Sequence, residues 1–327
     1  MKKVQGIALI TVMLIVALAA IIATHLLANV RLELKKSSNI EFNQQAYWYA
    51  MGAESFAIRA LSSTFEQESE KTTLKQAWAQ GETTYPVDLG EITGEITDLQ
   101  SCFNLNSLRV VENENAPLEK KSSARQAFEA LVLALEIDYV DQFEAEYLAD
   151  ALVDWLDDNS TLVSSGGAED SDYAAKTHAY LAANQYLASV NELRVIEHFT
   201  PVIINELKPF VCVLPTTNLH KININTISPE QPELLQALLS ISKGEAEQIL
   251  SSRKTEGFDK IEDFYNMAEV SRLNLKDEQK QQFTVDSEFF KLKTTAMFND
   301  SYFYLNSIMQ VVNNNQINVI GRTIGRE

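Results

Sequence analysis

The residues that could carry chemistry are concentrated between residues 157 and 172, a stretch with five acidic side chains in 16 residues. Asp157, Asn159 and Thr161 place side-chain oxygens at alternate positions, as a Ca²⁺-binding loop does. Hard oxygen ligands without histidine or cysteine favour Ca²⁺ over zinc. The spacing therefore indicates a possible calcium loop.

This acidic stretch departs from an EF-hand at two positions. Leu162 occupies the sixth position, where an EF-hand needs glycine, and Glu169 falls one residue beyond the twelfth position. A solvated acidic loop that binds no metal is an equally good interpretation of the spacing alone.

Cys102 and Cys212 are the two cysteines of the chain, and both lie in strand-like runs. A pair excludes a disulfide-rich scaffold and a four-cysteine zinc module. If the chain beyond Arg31 is exported, an oxidising compartment would join the two in a disulfide. Two buried free thiols are the alternative.

The N-terminus joins a basic segment to a long apolar one. Met1–Gly6 carries two lysines, and no charged residue occurs in the 24 residues of Ile7–Val30. At about 1.5 Å per residue this run is roughly 36 Å of helix, enough to span a bilayer. The basic flank predicts a cytoplasmic N-terminus, with the acidic remainder across the membrane.

Charge and motifs exclude other functions. The net charge of −18 argues against binding nucleic acid or an anionic membrane surface. Residues 222–265 resemble a helix-hairpin-helix DNA-binding module with Arg253 as a phosphate ligand, but Ser240-Ile-Ser242 replaces its Gly-x-Gly turn. We expect a helical module that does not bind DNA, with a DNA-uptake protein as the alternative.

No catalytic motif is present, so we predict no enzyme. An anchored periplasmic enzyme is the remaining alternative.

Periodicity predicts an α+β fold. A long helix is expected from residue 7 to about 65, followed by a loop over 66–90. Helical periods return from 122 to about 210 and again around 232–265. Strand-like runs are expected at 91–106, 211–226 and 283–324, with a turn at 313–316.

Two lysines, then Gly6, then an apolar run beginning at Ile7 resemble the leader of type IV pilins and pseudopilins. The resemblance implies that prepilin peptidase cuts between Gly6 and Ile7 and that Ile7 is N-methylated. The fifth mature residue is Thr11, where pilins usually carry glutamate. This substitution is typical of the K-type minor pseudopilins of type II secretion.

The acidic stretch is similar to the calcium-binding insertion of the K-type pseudopilins through its DWLDDN and GGAEDSDY segments. The resemblance implies a structural Ca²⁺. It names as ligands Asp157, Asn159, Glu169 and Asp170, with Asp154, Asp158 and Asp172 as weaker candidates.

The resemblance also implies the architecture, a pilin-like long helix on a small antiparallel sheet, enlarged by an all-α insertion of two SAM-like or helix-hairpin-helix-like modules. The expected parts are a leader, a filament-core helix, a core in two pieces, a first helical insertion with the acidic loop, and a second helical module with its connecting strand. Their bounds are 1–6, 7–30, 31–106 with 283–327, 107–211 and 212–282.

A K-type pseudopilin is expected at the tip of a periplasmic pseudopilus, where it initiates assembly and supports protein export across the outer membrane. The implied partners are I- and J-type minor pseudopilins in a tip trimer, the H-type and major pseudopilins, and the inner-membrane platform, with no nucleic acid. The implied location is the inner membrane, spanned once by Ile7–Val30.

Overall fold

The computed structural model describes residues 5–68, 70–109, 121–312 and 316–326. The predicted long helix is present as α1, Gln5–Gln67, which is 63 residues long. Its N-terminal part is long and apolar enough to cross a membrane and is not buried by the rest of the chain. Met1–Val4, in the predicted leader, lie outside the described residues.

One antiparallel sheet of five strands packs against the C-terminal half of α1, as the α+β prediction requires. Its strand order is β1-β2-β7-β8-β9. The strands are β1 Thr83–Val87, β2 Gly90–Asp98, β7 Phe289–Phe298, β8 Ser301–Val312 and β9 Gln316–Ile324. Of the turn predicted at 313–316, residues 313–315 lie outside the described residues.

Aromatic contacts between α1 and the sheet show which end of the sheet lies beside which end of α1. Phe42, nearer the apolar end of α1, packs on Phe298 with ring centroids 5.7 Å apart. Phe65, near the other end of α1, packs on Phe290 at the same distance. The end of the sheet that carries Asp98 and Phe290 is therefore the end far from the apolar part of α1.

An ion pair between the buried Glu54 and the half-exposed Arg322 fixes α1 to the edge strand β9. The Glu54 carboxylate accepts hydrogen bonds from Arg322 Nε and Nη2, both at 2.8 Å, and from Ser307 Oγ at 2.6 Å. Burial raises the pKa of Glu54, but the bonds from Arg322 and Ser307 outweigh it and hold the pKa below its usual value. The paired charge costs little because its oxygens are satisfied.

The helical insertion leaves the sheet after β2 and returns at β7, so it lies at the end of the sheet far from the apolar part of α1. Two short parallel strand pairs close its bases, β3 Phe103–Asn104 with β4 Val211–Cys212, and β5 Ile222–Asn223 with β6 Phe283–Thr284. Its helices are α2 Ser123–Ala134, α3 Gln142–Leu156, α4 Asp170–Ala174, α5 Pro201–Leu207, α6 Pro232–Leu239, α7 Lys243–Ser252, α8 Ile261–Tyr265, α9 Ala268–Ser271 and α10 Asp277–Lys280. Leu105–Leu108 and Val190–Val195 are 3₁₀ helices.

Both predicted helical modules share one continuous buried core, in which α2 packs against α6. Apolar side chains from the first module meet those of the second, and together they exclude water from a single interior. The buried cluster includes Phe128, Leu148, Leu152, Leu234, Leu238 and Phe264.

Two sequence predictions about strands are wrong in detail. The predicted loop 66–90 contains β1, because Thr83–Val87 pairs with β2 through a tight turn. That turn holds Leu89 at φ 58°, a conformation that usually signals itself by glycine or asparagine. The predicted strand at 211–226 consists only of β4 and β5.

Asp98 joins the sheet to the helical insertion. It is 4% exposed, and its carboxylate accepts bonds from Ser287 Oγ at 2.6 Å, Thr226 Oγ1 at 2.5 Å and the Gln100 N–H at 2.7 Å, with Asn223 Nδ2 at 3.4 Å. Burial raises the pKa of Asp98 to about 6, although these donors oppose the shift. The carboxylate is ionised at neutral pH and needs all of its donors.

We expect Asp98→Ala to destabilise the protein by about 3 kcal/mol, because it leaves several buried donors without an acceptor. Urea unfolding of the detergent-solubilised protein measures the loss. The matched control is Asp300→Ala, which removes an exposed carboxylate from the β7–β8 turn and should change stability by less than about 0.5 kcal/mol. Equal unfolding midpoints for the two variants would contradict this role of Asp98.

Candidate functional site

The candidate site lies at the end of α3, inside the helical insertion. Asp141 caps the start of α3, accepting from the backbone N–H groups of Phe143 at 2.9 Å and Glu144 at 3.0 Å. The helix ends at Leu156 with Asp157 as its C-cap residue. Asp154 and Asp157 therefore occupy the last turn, where the helix dipole disfavours negative charge.

Asp154 is the most deeply buried acid of the site, with 0% exposure. Its Oδ1 accepts from the Val163 N–H at 3.0 Å, and its Oδ2 is buried without a hydrogen-bond partner in the described chain. Burial, with the nearby charges of Glu169 and Asp157, raises the pKa of Asp154 to about 7. A pKa raised in this way is typical of a buried carboxylate that has no positive charge beside it.

Glu169 reaches the same region from the other end of the acidic loop. It is 4% exposed, and among the described residues neither of its buried carboxylate oxygens accepts a hydrogen bond of normal geometry, although the backbone N–H of Asp170 lies near and lowers its pKa. Burial first and the charge of Asp157 second raise the pKa of Glu169. Asp154, Asp157 and Glu169 thus lie close enough to repel one another.

The other predicted ligands are arranged differently. Asn159 Oδ1 accepts from the Thr161 N–H at 2.7 Å, and Asp170 Oδ1 accepts from the Ala182 N–H at 3.0 Å. Asp172 Oδ2 accepts from the Glu169 N–H at 3.0 Å at the start of α4. The side chain of Asp158 is 68% exposed and lies 3.9 Å from Arg109. The structure therefore brings Asp154 into the group and directs Asp158 away.

Glycines allow the loop to close over these acids. A Cβ added to Gly167 would lie 1.9 Å from Asp154 Oδ2, and one added to Gly166 would lie 2.1 Å from the Tyr147 ring. A side chain at either position would therefore force Asp154 or Tyr147 to move. His198 Nε2 lies 3.1 Å from the Gly166 carbonyl oxygen and helps to hold the loop in place.

The charge of Asp150, one helical turn before Asp154, is neutralised by an arginine. It pairs with Arg125 and accepts a hydrogen bond from Ser164 Oγ. Arg125 Nε also contacts Glu129 at 3.0 Å. Asp154 and Glu169 have no such cation, since within the described chain neither forms a salt bridge.

The carboxylate oxygens of this site suit a hard cation. Ca²⁺ coordinates oxygens of this kind, which are buried and accept no hydrogen bond. Among the described residues, however, no three acidic, histidine or cysteine side chains are gathered into a ready-made metal site. Asp154, named from the sequence as a weaker candidate, lies three residues before Asp157, which places both on one face of α3.

Cys102 and Cys212 lie at the root of the first module, where the structure joins them in a disulfide with Cα atoms 5.8 Å apart. Cys212 belongs to β4, which pairs with β3 immediately after Cys102. The bond therefore closes the segment of 110 residues that carries the acidic loop.

The helix-hairpin-helix-like segment uses its arginine internally. Arg253 Nη1 donates to the carbonyl oxygens of Ile224 at 2.6 Å and Ile227 at 3.0 Å. Ser240, in the turn that would hold phosphate, closes α6 in the left-handed conformation at φ 54°. Nothing in this arrangement favours DNA binding.

Comparison with known families agrees with the architecture. The family profiles described as "Type II secretion system (T2SS), protein K" match residues 101–216 and 222–286. Type II secretion system protein K of Aeromonas hydrophila is 40% identical over 262 residues, covering 79% of this chain and 78% of that protein. Its counterpart in Pectobacterium carotovorum is 30% identical over 325 residues, covering 98% and 96%.

A solved structure has the same fold. A chain in the crystal structure of the GspK-GspI-GspJ complex from the enterotoxigenic Escherichia coli type 2 secretion system superposes with a TM-score of 0.78 at 31% identity. The match covers 90% of this chain and 100% of that one. The resemblance drawn from the residues is confirmed, and the chain belongs to the type II secretion system protein K family, the minor pseudopilins of that system.

Proposed function

We propose that this protein occupies the tip of the type II secretion pseudopilus, where it initiates assembly and supports protein export across the outer membrane. The observation that carries the proposal is the position of the helical insertion. It leaves the sheet at Asp98 and returns at Phe289, at the end far from the apolar part of α1. A body at that end leaves no room for another subunit to stack above it, so the subunit acts as a cap.

The N-terminal half of α1 would hold the protein in the inner membrane. Ile7–Val30 spans the bilayer once, Lys2 and Lys3 stay on the cytoplasmic side, and the acidic remainder lies in the periplasm. The same apolar surface then packs in the filament core during assembly. The proposed role consists of assembly and recognition, and we assign the protein no catalytic activity.

The partners follow from the solved relative, which is crystallised with GspI and GspJ. We infer that this chain forms a tip complex with I- and J-type minor pseudopilins. The H-type and major pseudopilins and the inner-membrane platform remain the partners predicted from the resemblance. We also infer that α6 and α7 form a degenerate helix-hairpin-helix-like module that serves packing.

Prepilin processing should leave a defined N-terminus. Intact-mass measurement of the protein from its host is expected to give residues 7–327 plus one methyl group, since the cut falls after Gly6. Gly6→Val should keep the full-length mass, because it changes the residue before the cut. An intact Met1 in the wild type, or a cut near residue 30, would rule out the proposed processing.

We further propose that the acidic loop binds a structural Ca²⁺ through Asp154, Asp157 and Glu169, with Asn159 and Asp170 as nearby candidates. Support comes from the unpartnered oxygens of Asp154 and Glu169 and from the glycine that closes the loop over Asp154. The ion would offset the repulsion between these acids and complete its shell with backbone carbonyls and water.

Chelation should therefore destabilise the protein. An ion present at 100 times its dissociation constant contributes about 2.7 kcal/mol, so removing Ca²⁺ should lower the melting midpoint by about 4 °C. Glu169→Gln should remove most of this difference, whereas Asp158→Asn, at an exposed acid of the same loop, should keep it. A wild-type midpoint that is the same in Ca²⁺ and in chelator would refute the structural ion.

A further inference from the structure

The sheet and the helical insertion meet at a joint that holds one buried carboxylate. The residues of this joint are Asp98, Gln100, Asn223, Thr226 and Ser287. Asp98 forms no salt bridge among the described residues, whereas the buried Glu54 and Asp150 are each paired with an arginine. The negative charge of Asp98 therefore depends on neutral donors alone.

One of these donors is a hydroxyl group that has a second acceptor within reach. Thr226 Oγ1 donates to Asp98 Oδ2 at 2.5 Å and lies 3.2 Å from the Asn223 carbonyl oxygen. A hydroxyl group both donates and accepts. A proton on Asp98 Oδ2 would therefore be donated to Thr226 Oγ1, and the threonine hydrogen would turn to the Asn223 carbonyl.

The other contacts of the joint survive this change. The Gln100 N–H donates to the second oxygen, Oδ1, at 2.7 Å, and that oxygen stays an acceptor. Ser287 Oγ lies 2.6 Å from Oδ2 and also accepts from Asn223 Nδ2 at 2.8 Å. No polar atom of the joint loses all of its partners when Asp98 takes up a proton.

An acid paired with arginine responds in the opposite way. A proton on Glu54 would break its ion pair with Arg322. Burying an ionised carboxylate is costly, and a proton removes that cost. At Asp98 the cost is removed and the hydrogen bonding of the joint is kept.

Titratable groups lie on the segments packed around Asp98, but in the described chain none of them contacts its carboxylate. They belong to the loop after α1, the segment around β5, the end of α7 and the chain that returns to β7. These groups are Glu68, Lys71, His220, Lys221, Arg253, Asp286 and Glu288. Lys71 pairs with Glu68 and Asp259, and Arg253 donates to two backbone carbonyl oxygens.

The remaining groups around the joint are bonded locally, exposed or neutral. Asp286 accepts a hydrogen bond from a neighbouring threonine hydroxyl, and Lys221 and Glu288 are exposed. Burial lowers the pKa of His220 to about 4, so this side chain is neutral from pH 7 to pH 5. The group at the joint that changes charge in this range is therefore Asp98.

We propose that Asp98 makes the joint a proton-sensitive connection, in which uptake of one proton by its carboxylate holds the helical insertion more firmly to the sheet. The proton comes from solvent and binds Oδ2, and the hydrogen of Thr226 turns to the Asn223 carbonyl. The charge of the carboxylate is neutralised and no covalent bond breaks. This inference does not depend on the proposed function.

The direction of the effect follows from the two pKa values of Asp98. Burial raises the pKa of the folded protein's Asp98 to about 6, whereas an aspartate in an unfolded chain has a pKa of about 3.9. The folded state therefore binds the proton first as the pH falls. Stability contributed by this group rises as the pH falls through 6.

Urea unfolding of the detergent-solubilised full-length protein at pH 7 and pH 5 tests the proposal. The unfolding equilibrium constant of the wild type, divided by that of Asp98→Asn, should fall about tenfold from pH 7 to pH 5. Asparagine does not titrate and has the shape of the neutral acid. Dividing by its value cancels the titration of the other acids. An equal ratio at the two pH values overturns the proposal.

Asp300→Asn is the matched control. It makes the same substitution at an exposed acid of the β7–β8 turn. Its unfolding should follow the pH dependence of the wild type, because an exposed carboxylate has nearly the same pKa in the folded and unfolded states.

Hydrogen exchange of the wild type gives a local measurement that needs no variant, and it decides the matter if Asp98→Asn does not fold. After correction for the intrinsic rate, peptides containing Gln100 and Ser287 should exchange more slowly at pH 5 than at pH 7, relative to peptides from β8. Unchanged relative protection overturns the proposal. Neither readout involves a partner protein, so failure here leaves the proposed function untouched.

Discussion

The buried junction around Asp98 is the contact on which the rest of the structure depends. The chain leaves the sheet there, builds the entire helical insertion, and returns at the same end of the sheet to β7, the strand beside β2. Thr226, Ser287 and Gln100 approach one carboxylate from three separate segments. Since the carboxylate is ionised and nearly inaccessible to water, it needs these donors, and the donors fix how the insertion meets the sheet. Nearby, the disulfide and the two short parallel strand pairs restrict the same junction.

The buried acids of the described chain are compensated to different extents, and Asp98 is held by hydrogen-bond donors alone. Glu54 and Asp150 are paired with arginines, so each contributes to packing between elements. Asp154 and Glu169 form no salt bridge in the described chain and have oxygens without donors. An uncompensated buried charge is costly. The fold tolerates it only at the acidic loop, which is the reason for proposing a cation there and nowhere else among the described residues.

Much of the fold follows from the sequence. The absence of proline before Pro86 and the continuous apolar pattern predict α1, and alternation predicts β7, β8 and β9. The sequence did not predict the β1–β2 hairpin, because its turn has Leu89 where glycine or asparagine is usual. The choice of acids at the site was only partly predictable. Spacing shows which residues are near in sequence, whereas the burial of Asp154 and the exposure of Asp158 depend on how α3 packs. The family resemblance identified the acidic loop but could not show which of its acids are buried.

The central claim is that the membrane-distal helical insertion makes this subunit the cap of a filament. The most direct measurement is electron microscopy of assembled pseudopili that carry a gold label on a tag within this protein's insertion. The account predicts label at one end of each filament and none along its length. Label distributed along the filaments would contradict it, because a subunit in the shaft must accommodate another subunit above it.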